Sequence, residues 1–545
     1  MTPSPAKPDA KTFYPEIVIG FVAPSGIGFD RVTEVVRREL EHHDYVSETA
    51  RLSSYLEELA PLSKKKARLP EARIPNLQTT GDYLRSAAGT DILGFVAAGL
   101  IRKAREQHNQ SHAPDPKDQQ PREQAESGDL GRPADRQVPG MAFLVWSLKH
   151  PAEVAALRGI YGSRFFLISV FAPREQRVSW LSEDMARRSR SAKGADRFDL
   201  PAREIIDRDT NEEDNRSSGQ NVRGTFPLAD FFVDARDDPS LEATVHRSIE
   251  IIFGHPFETP TRDEFGMYVA HAAKLRSAEL GRQVGAAISN PSGDVVATGT
   301  NEVPAFAGGH YWSSPLELRR DNREFRRGKD QSDEDKRLLA AEVFDSFKQK
   351  GWIEADVEAT EIEIYDALDN TSLQDITEYG RAVHAEMSAI TDAARRGVST
   401  AGATIYVSTF PCHTCARHVV AAGIARLVYI EPYAKSRATK LHSDVLSTPD
   451  AGSLDSDHVP FEPFVGVAPR QYINAFTMAT RKEDGVAVRA DEKRLPRLVG
   501  ESSYGELDVA AHIQRERSAV AGSLEPLHKV EEELSKQQEK NRGIE

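Results

Sequence analysis

His384, Cys412 and Cys415 are the residues of this sequence best suited to hold a single metal ion. An imidazole and two thiolates favour Zn²⁺, and three protein ligands leave the fourth tetrahedral position for water. Glu386 stands two residues past the histidine, where a carboxylate can carry the proton of that water. The chain contains 2 cysteines, and both fall in Pro411-Cys412-His413-Thr414-Cys415. That count excludes a four-cysteine structural site within one chain and a disulfide framework. A C-x-x-C pair alone would also suit redox chemistry, but the histidine and glutamate ahead of it favour the metal.

The spacing predicts how the chain brings these groups together. Met387, Ile390 and Ala394 follow His384 at helical intervals, so His384 and Glu386 belong to a first helical turn. A helix N-terminus also favours negative charge beside it. The β-branched and aromatic run from Ala403 to Phe410 predicts a strand. It delivers Pro411, whose fixed φ suits a turn or a first helical position. Cys412 and Cys415, spaced i and i+3 on the next helix, lie close enough to share one ion. Two helix starts are therefore expected to face one another across the metal.

Around this centre the second half of the chain reads as a three-layer α/β/α sheet. A helix is expected from Glu264 to Leu280, then strands over 284–288 and 294–299 joined by the turn Asn290-Pro-Ser-Gly293. A charged insertion over 308–376 carries a helix at 333–350, and further strands are expected at 426–430 and 464–467. The tail beyond 482 is charged and weakly periodic. It predicts a frayed end, with Leu524, Leu527, Val530 and Leu534 offering at most a short docking helix.

The front half predicts a second α/β unit. An apolar strand over 16–23 runs into Pro24-Ser25-Gly26-Ile27-Gly28 and a helix to about His42. Strand, glycine-rich turn and helix form a P-loop-like arrangement, in which backbone N–H groups cradle phosphates. Ser25, Gly26, Ile27 and Gly28 are the candidate phosphate contacts. Relative to the Walker pattern, however, Ala23 replaces the first glycine, Phe29 the lysine and Asp30 the hydroxyl residue that would hold Mg²⁺. The loop is thus expected either to bind a nucleotide without transferring phosphate or to be a structural βα turn. Apolar runs at 141–146, 164–171 and 229–233, separated by helical stretches, predict a parallel sheet with covering helices. Trp146-Ser147 stands where a Walker B carboxylate would be expected. The Pro/Gln/Asp/Gly-rich segment between Arg105 and Val138 predicts a disordered loop. The basic run 186–193 predicts a solvated helix or loop, with a phosphate lid as the alternative. The expected organisation is a flexible leader at 1–14, a front domain at 15–255, a zinc domain at 256–481 and a tail at 482–545.

At 545 residues the chain is long enough for these domains, and its net charge of −14 disfavours a broad nucleic-acid-binding surface. No apolar run reaches membrane-spanning length, and Met1 to Lys11 lacks an apolar signal core. Thiolate ligands suit a reducing cytoplasm, so a cytoplasmic protein without a membrane partner is expected.

The motifs Arg282-Gln-Val-Gly-Ala-Ala-Ile288, Gly299-Thr-Asn301, Val383-His-Ala-Glu386 and Pro411-Cys-His-Thr-Cys415 resemble those of cytidine and deoxycytidylate zinc deaminases. The likeness covers roughly Glu264 to Thr477. With a degenerate kinase-like half in front and Glu431-Pro-Tyr-Ala-Lys-Ser436 behind, the whole chain resembles the bacterial anti-phage deoxycytidine nucleotide deaminases. That resemblance implies one catalytic Zn²⁺ and Glu386 as the proton carrier. It also implies conversion of dCTP, and of dCMP, to deoxyuridine nucleotides, which lowers the pool during infection. Asn301 would bond the sugar, the Ala385 backbone N–H the pyrimidine carbonyl, and Lys435 and Ser436 the phosphates. A nucleotide or RNA regulator on the front domain and a homo-oligomer are further expectations. Three other readings remain: a housekeeping dCMP deaminase, a polynucleotide or tRNA deaminase, and a nucleotide or RNA sensor gated by the front domain. Acidity and the lack of a basic, aromatic track speak against polynucleotides.

Overall fold

Parallel strands need crossover helices and bury both faces, and the front of this chain is built that way. The computed structural model describes residues 14–59, 70–112, 132–189, 194–211 and 219–313. It also describes 320–433 (without 355, 369–370, 372, 374–375 and 377–378), 436–451, 457–478, 480–489, 494–499 and 506–542. Two compact units emerge: residues 1–260 with 465–545, and residues 261–464.

In the first unit β1 (Ile17–Val22), β2 (Val46–Arg51), β3 (Met141–Trp146), β4 (Phe165–Phe171) and β5 (Phe231–Asp234) run parallel, in the order β5-β4-β1-β3-β2. All residues of β1 are buried, because its side chains alternate between two cores. Ile17, Ile19 and Phe21 meet Val32, Val36 and Leu40 of the helix Phe29–His42 and Leu241, Val245 and Ile249 of the helix Asp238–Ile252. Val18 and Val22 meet Ile92, Ala97 and Ile101 on the other side.

Two expectations for this unit are corrected. The helix Ile92–Ser111 runs on past Arg105, into the segment whose composition predicted a loop. Arg105 is fully buried, and its guanidinium donates to Glu16 Oε1 at 2.9 Å and to Glu516 Oε1 at 2.7 Å. Residues 113–131 of that segment lie outside the described residues, and its last part forms a short helical turn at Pro133–Asp135 with Ala134 and Asp135 buried. The tail is also not frayed: Glu506–Arg542 is one helix, and Leu527, Val530 and Leu534 are buried in the core that holds Val18 and Ile101. Of the basic run, Ala186–Ser189 closes the helix Arg174–Ser189, and 190–193 lie outside the described residues.

The second unit contains β6 (Gly285–Ser289), β7 (Val295–Thr300), β8 (Thr404–Thr409), β9 (Arg426–Glu431), β10 (Leu446–Ser447) and β11 (Val459–Pro463), in the order β10-β11-β9-β8-β6-β7. β6 and β7 form the expected hairpin, with Gly293 at φ +98° in its turn. The strand expected at 464–467 divides differently. β11 ends at Pro463, and Gly466–Val467 forms β12, antiparallel to β5 in the first unit's sheet. The helix expected to reach Leu280 covers Arg262–Lys274, opened by a Thr261–Glu264 capping box.

Glycines let helices press onto both faces of this sheet. A Cβ on Gly285 would lie 2.0 Å from the Ala270 carbonyl oxygen of the helix Arg262–Lys274. On the opposite face, a Cβ on Gly299 would lie 2.0 Å from the Ala385 carbonyl oxygen and 2.4 Å from the Ala389 nitrogen. Both contacts are with backbone of the helix Ala385–Arg395, which cannot rotate away. Gly299→Ala is therefore expected to cost about 1–3 kcal/mol and to lower the zinc content of purified protein, because that helix carries Glu386 and follows His384. Full zinc occupancy and an unchanged melting temperature in this variant would contradict the packing described.

Candidate metal centre and active site

The metal site forms where two helices begin. β7 leads through Asn301 and Glu302, whose backbone bridges Val383, so the chain enters the helix Ala385–Arg395 extended with His384 at its N-cap. β8 leads through Phe410 and Pro411 to Cys412, the N-cap of the helix His413–Ala421. The Cys412 sulfur accepts the Cys415 N–H at 3.4 Å, which satisfies a donor that a helix start leaves open.

His384 Nδ1 lies 3.4 Å from Cys412 Sγ and 3.3 Å from Cys415 Sγ, and the three ligand atoms fall within 4.8 Å of one another. Tetrahedral zinc, with bonds near 2.3 Å to sulfur and 2.0 Å to nitrogen, separates such atoms by about 3.5 Å. The donor set and its spacing fit one Zn²⁺. Among the described residues this is the one histidine, cysteine and carboxylate group close enough to hold a metal.

The electrostatics suit the same ion. Hydrogen bonding to Cys415, against the cost of burial, together with the His384 imidazole, draws the Cys412 thiol down to about 4. Hydrogen bonding to Cys412 lifts His384 to about 9, and the bond to Cys412 with burial pushes Cys415 well up. A thiol held low favours the thiolate form that ligates a metal. Metal binding requires loss of the remaining protons. Glu386, 4% exposed, is pushed up by burial, so its carboxyl is disposed to hold a proton and release it.

A cavity of about 200 Å³ opens over this centre, with Glu386, His384 and Cys412 in its wall. Ala385 lines it too, fully buried at the first helical position, where a backbone N–H has no intrahelical partner. Asn301 lines it while tying strand ends together: its Oδ1 accepts the Val284 N–H at 2.7 Å and its Nδ2 donates to the Arg282 carbonyl at 2.6 Å. One amide hydrogen of Asn301 is left over. Ser436 is placed elsewhere. Its hydroxyl donates to the Pro411 carbonyl at 2.7 Å and accepts the Ala438 N–H at 3.2 Å, which braces the cysteine loop from behind. Lys435 lies outside the described residues.

Sequence reasoning missed part of the wall. Phe410, Thr409 and Tyr433 line the cavity, and so does Arg282, for which no contact with substrate was expected. The Arg282 guanidinium carbon stands 5.1 Å from the Tyr433 ring centroid, and Arg282 makes no ion pair among the described residues. The signal was present in Pro432-Tyr433 directly after β9, but nothing local says which way those side chains turn.

Comparison with known proteins agrees on this unit. Residues 260–431 match the family profile of the cytidine and deoxycytidylate deaminase zinc-binding region, less than half of the chain. Among curated proteins, the chain is 49% identical over 55 residues to the deoxycytidylate deaminase of Enterobacteria phage T2, covering 10% of this chain and 29% of that protein. It is 45% identical over 53 residues to ComE operon protein 2 of Bacillus subtilis (strain 168), covering 10% and 28%. The chain thus spans less than a third of the length of the curated relatives it matches. Among solved structures, the dCMP deaminase of cyanophage S-TIM5 in complex with dCMP and dUMP is 15% identical, with 38% of this chain and 99% of that chain covered and a TM-score of 0.21. The same enzyme in apo form gives 14%, 38%, 100% and a TM-score of 0.20. No single helix among the described residues is long and apolar enough to cross a membrane.

Proposed function

We propose that the second unit hydrolytically deaminates deoxycytidine nucleotides to deoxyuridine nucleotides and ammonia, with dCTP as the first candidate substrate and dCMP as the second. The observation that carries this reading is a buried Glu386 carboxyl beside a three-ligand zinc set in the wall of a cavity of about 200 Å³. Zinc held by His384, Cys412 and Cys415 would supply Lewis acidity that activates a water. Glu386 takes one proton of that water and delivers it to ring N3 as the oxygen adds to C4. It then takes the remaining proton of the added hydroxyl and delivers it to the departing 4-amino group, so that the C–N bond breaks, the carbonyl forms, and one water enters as one ammonia leaves. The Ala385 N–H offers a donor to the pyrimidine carbonyl, and the remaining Asn301 amide hydrogen offers one to the sugar. Phe410 and Tyr433 give the cavity aromatic surface, while Arg282 supplies a cation for phosphate. By the resemblance stated above, the cellular role is antiviral: lowering the deoxycytidine nucleotide pool starves phage DNA synthesis. A homo-oligomer, and a nucleotide or RNA regulator acting through the first unit, complete the reading.

Ammonia release tests it. Zinc-loaded protein is offered dCTP, dCMP, CTP, deoxycytidine and a cytosine-containing oligonucleotide. Turnover is expected on dCTP or dCMP, and Arg282→Ala should raise KM for these far more than for deoxycytidine. Turnover confined to the oligonucleotide would overturn the nucleotide reading in favour of a polynucleotide deaminase.

A further inference from the structure

The loop after β1 carries the glycines of a phosphate cradle without its lysine. Two residues from distant parts of the first unit change its character. Asp209, near the end of the helix Asp199–Asn211, accepts the Ser25 N–H on Oδ2 at 2.6 Å. Lys149, just past β3, donates to the Ala23 carbonyl at 2.9 Å and stands 3.3 and 3.2 Å from the two Asp209 oxygens. An anionic oxygen therefore already rests on the loop's backbone donor with an ammonium beside it. Phosphoryl oxygens are bound by the same combination. The carboxylate is enclosed, since Asp209 is 4% exposed. Arg177 braces the loop from behind, donating to the Ser25 carbonyl at 3.1 Å.

Two further observations point to a ligand at this place. Gln78, also 4% exposed, donates through Nε2 to Asp209 Oδ1 at 3.4 Å, while its Oε1 has no hydrogen-bond partner. A buried amide oxygen beside an anion site is an unmet acceptor, ready for the P–OH or hydration water that accompanies a phosphate. The position in the sheet agrees: β1 lies between β3 and β4, where the strand order reverses. Open parallel sheets bind ligands at the carboxyl ends of strands at such a point.

We infer that Asp209 is a built-in stand-in for phosphate. The first unit holds an oligophosphate site formed by the Ser25 N–H, Lys149 and Gln78, kept shut by the Asp209 carboxylate, and an entering triphosphate must displace that carboxylate. Lys149 takes the part of the missing loop lysine from another strand. No bond is made or broken in the ligand.

Calorimetric titration of the full-length, zinc-loaded protein with inorganic triphosphate, and separately with ATP, tests the inference. Asp209→Ala is expected to bind triphosphate at least about tenfold more tightly than the unaltered chain, and adding Lys149→Ala should erase that gain. Asp209→Asn keeps the shape but not the charge and should tighten binding in the same direction, so it carries the test if the alanine variant does not fold. Equal gains for triphosphate and ATP would assign the site to the phosphate chain alone. A gain for ATP only would assign it to a nucleotide. Folded Asp209 variants that bind neither ligand more tightly than the unaltered chain would overturn the inference, as would a gain that survives Lys149→Ala.

Discussion

Glu386→Gln is expected to lower kcat for nucleotide deamination by about 10²–10⁴-fold while the protein keeps its zinc and its melting temperature. That range is what a positioned general acid–base contributes. Glutamine preserves the shape of a side chain that is 4% exposed, and burial already disfavours the carboxylate. The substitution therefore removes proton transfer without leaving an unpaired charge. His384, Cys412 and Cys415 are untouched, so metal analysis should give the same stoichiometry in both proteins. Turnover within a few-fold of the unaltered chain would sink the assignment of Glu386 as proton carrier. Loss of zinc alongside activity would instead make Glu386 a structural support of the metal site.

The second large effect concerns stability. Arg105 sits fully buried between Glu16 and Glu516, and Glu516 also accepts the Tyr161 hydroxyl at 2.8 Å. Removing Glu516 leaves two buried Arg105 N–H donors and the Tyr161 hydroxyl without their acceptor, and breaking a buried ion cluster in this way costs about 3–5 kcal/mol. Glu516→Ala is expected to lower the first unit's unfolding free energy by that amount, and its denaturant midpoint with it, and to loosen the helix Glu506–Arg542. Proteolysis should then reach this helix sooner. Glu525→Ala on the same helix, which breaks only the exposed pair with Lys529, should leave the midpoint where it was. Similar midpoints for the two variants would show that the cluster contributes nothing special. The cluster also has a pH signature. Burial pushes the Glu16 carboxyl up, but the Arg105 guanidinium beside it prevails and holds it below the usual carboxylate range. A carboxylate held low stabilises the fold above its unfolded pKa, and that contribution is lost as pH falls through the folded value. The first unit should therefore weaken on acidification, and Glu16→Gln should flatten that dependence.

These two sites differ in how far the sequence reveals them. The zinc ligands were legible because ligand chemistry is written in residue type, and local periodicity placed them at two helix starts joined by a strand. The parallel sheet of the first unit and the β6–β7 hairpin were legible for the same reason, since alternation and turn residues act over a few positions. The loop was expected to begin after Arg105 because the residues that follow are rich in proline, glutamine and charge, and nothing near Arg105 marks it as buried. Its partners Glu16 and Glu516 lie 89 and 411 positions away. The last helix looked frayed because Leu527, Val530 and Leu534 have no local apolar face to join, and their complement is formed by residues of the front half.

By itself, the sequence determined the metal, its three ligands, the adjacent acid and the two-part α/β architecture. These follow from residue chemistry and from periods of two and 3.6 residues. Only the tertiary structure decided that Tyr433 and Arg282 line the cavity, that the Ser436 hydroxyl bonds the Pro411 carbonyl, that Gly466–Val467 joins the first sheet, and that Asp209 and Lys149 meet at the β1 loop. Each of those depends on groups distant along the chain being brought within a few ångströms. Such a contact is set by how whole elements pack, and it leaves no mark on the residues nearby in sequence.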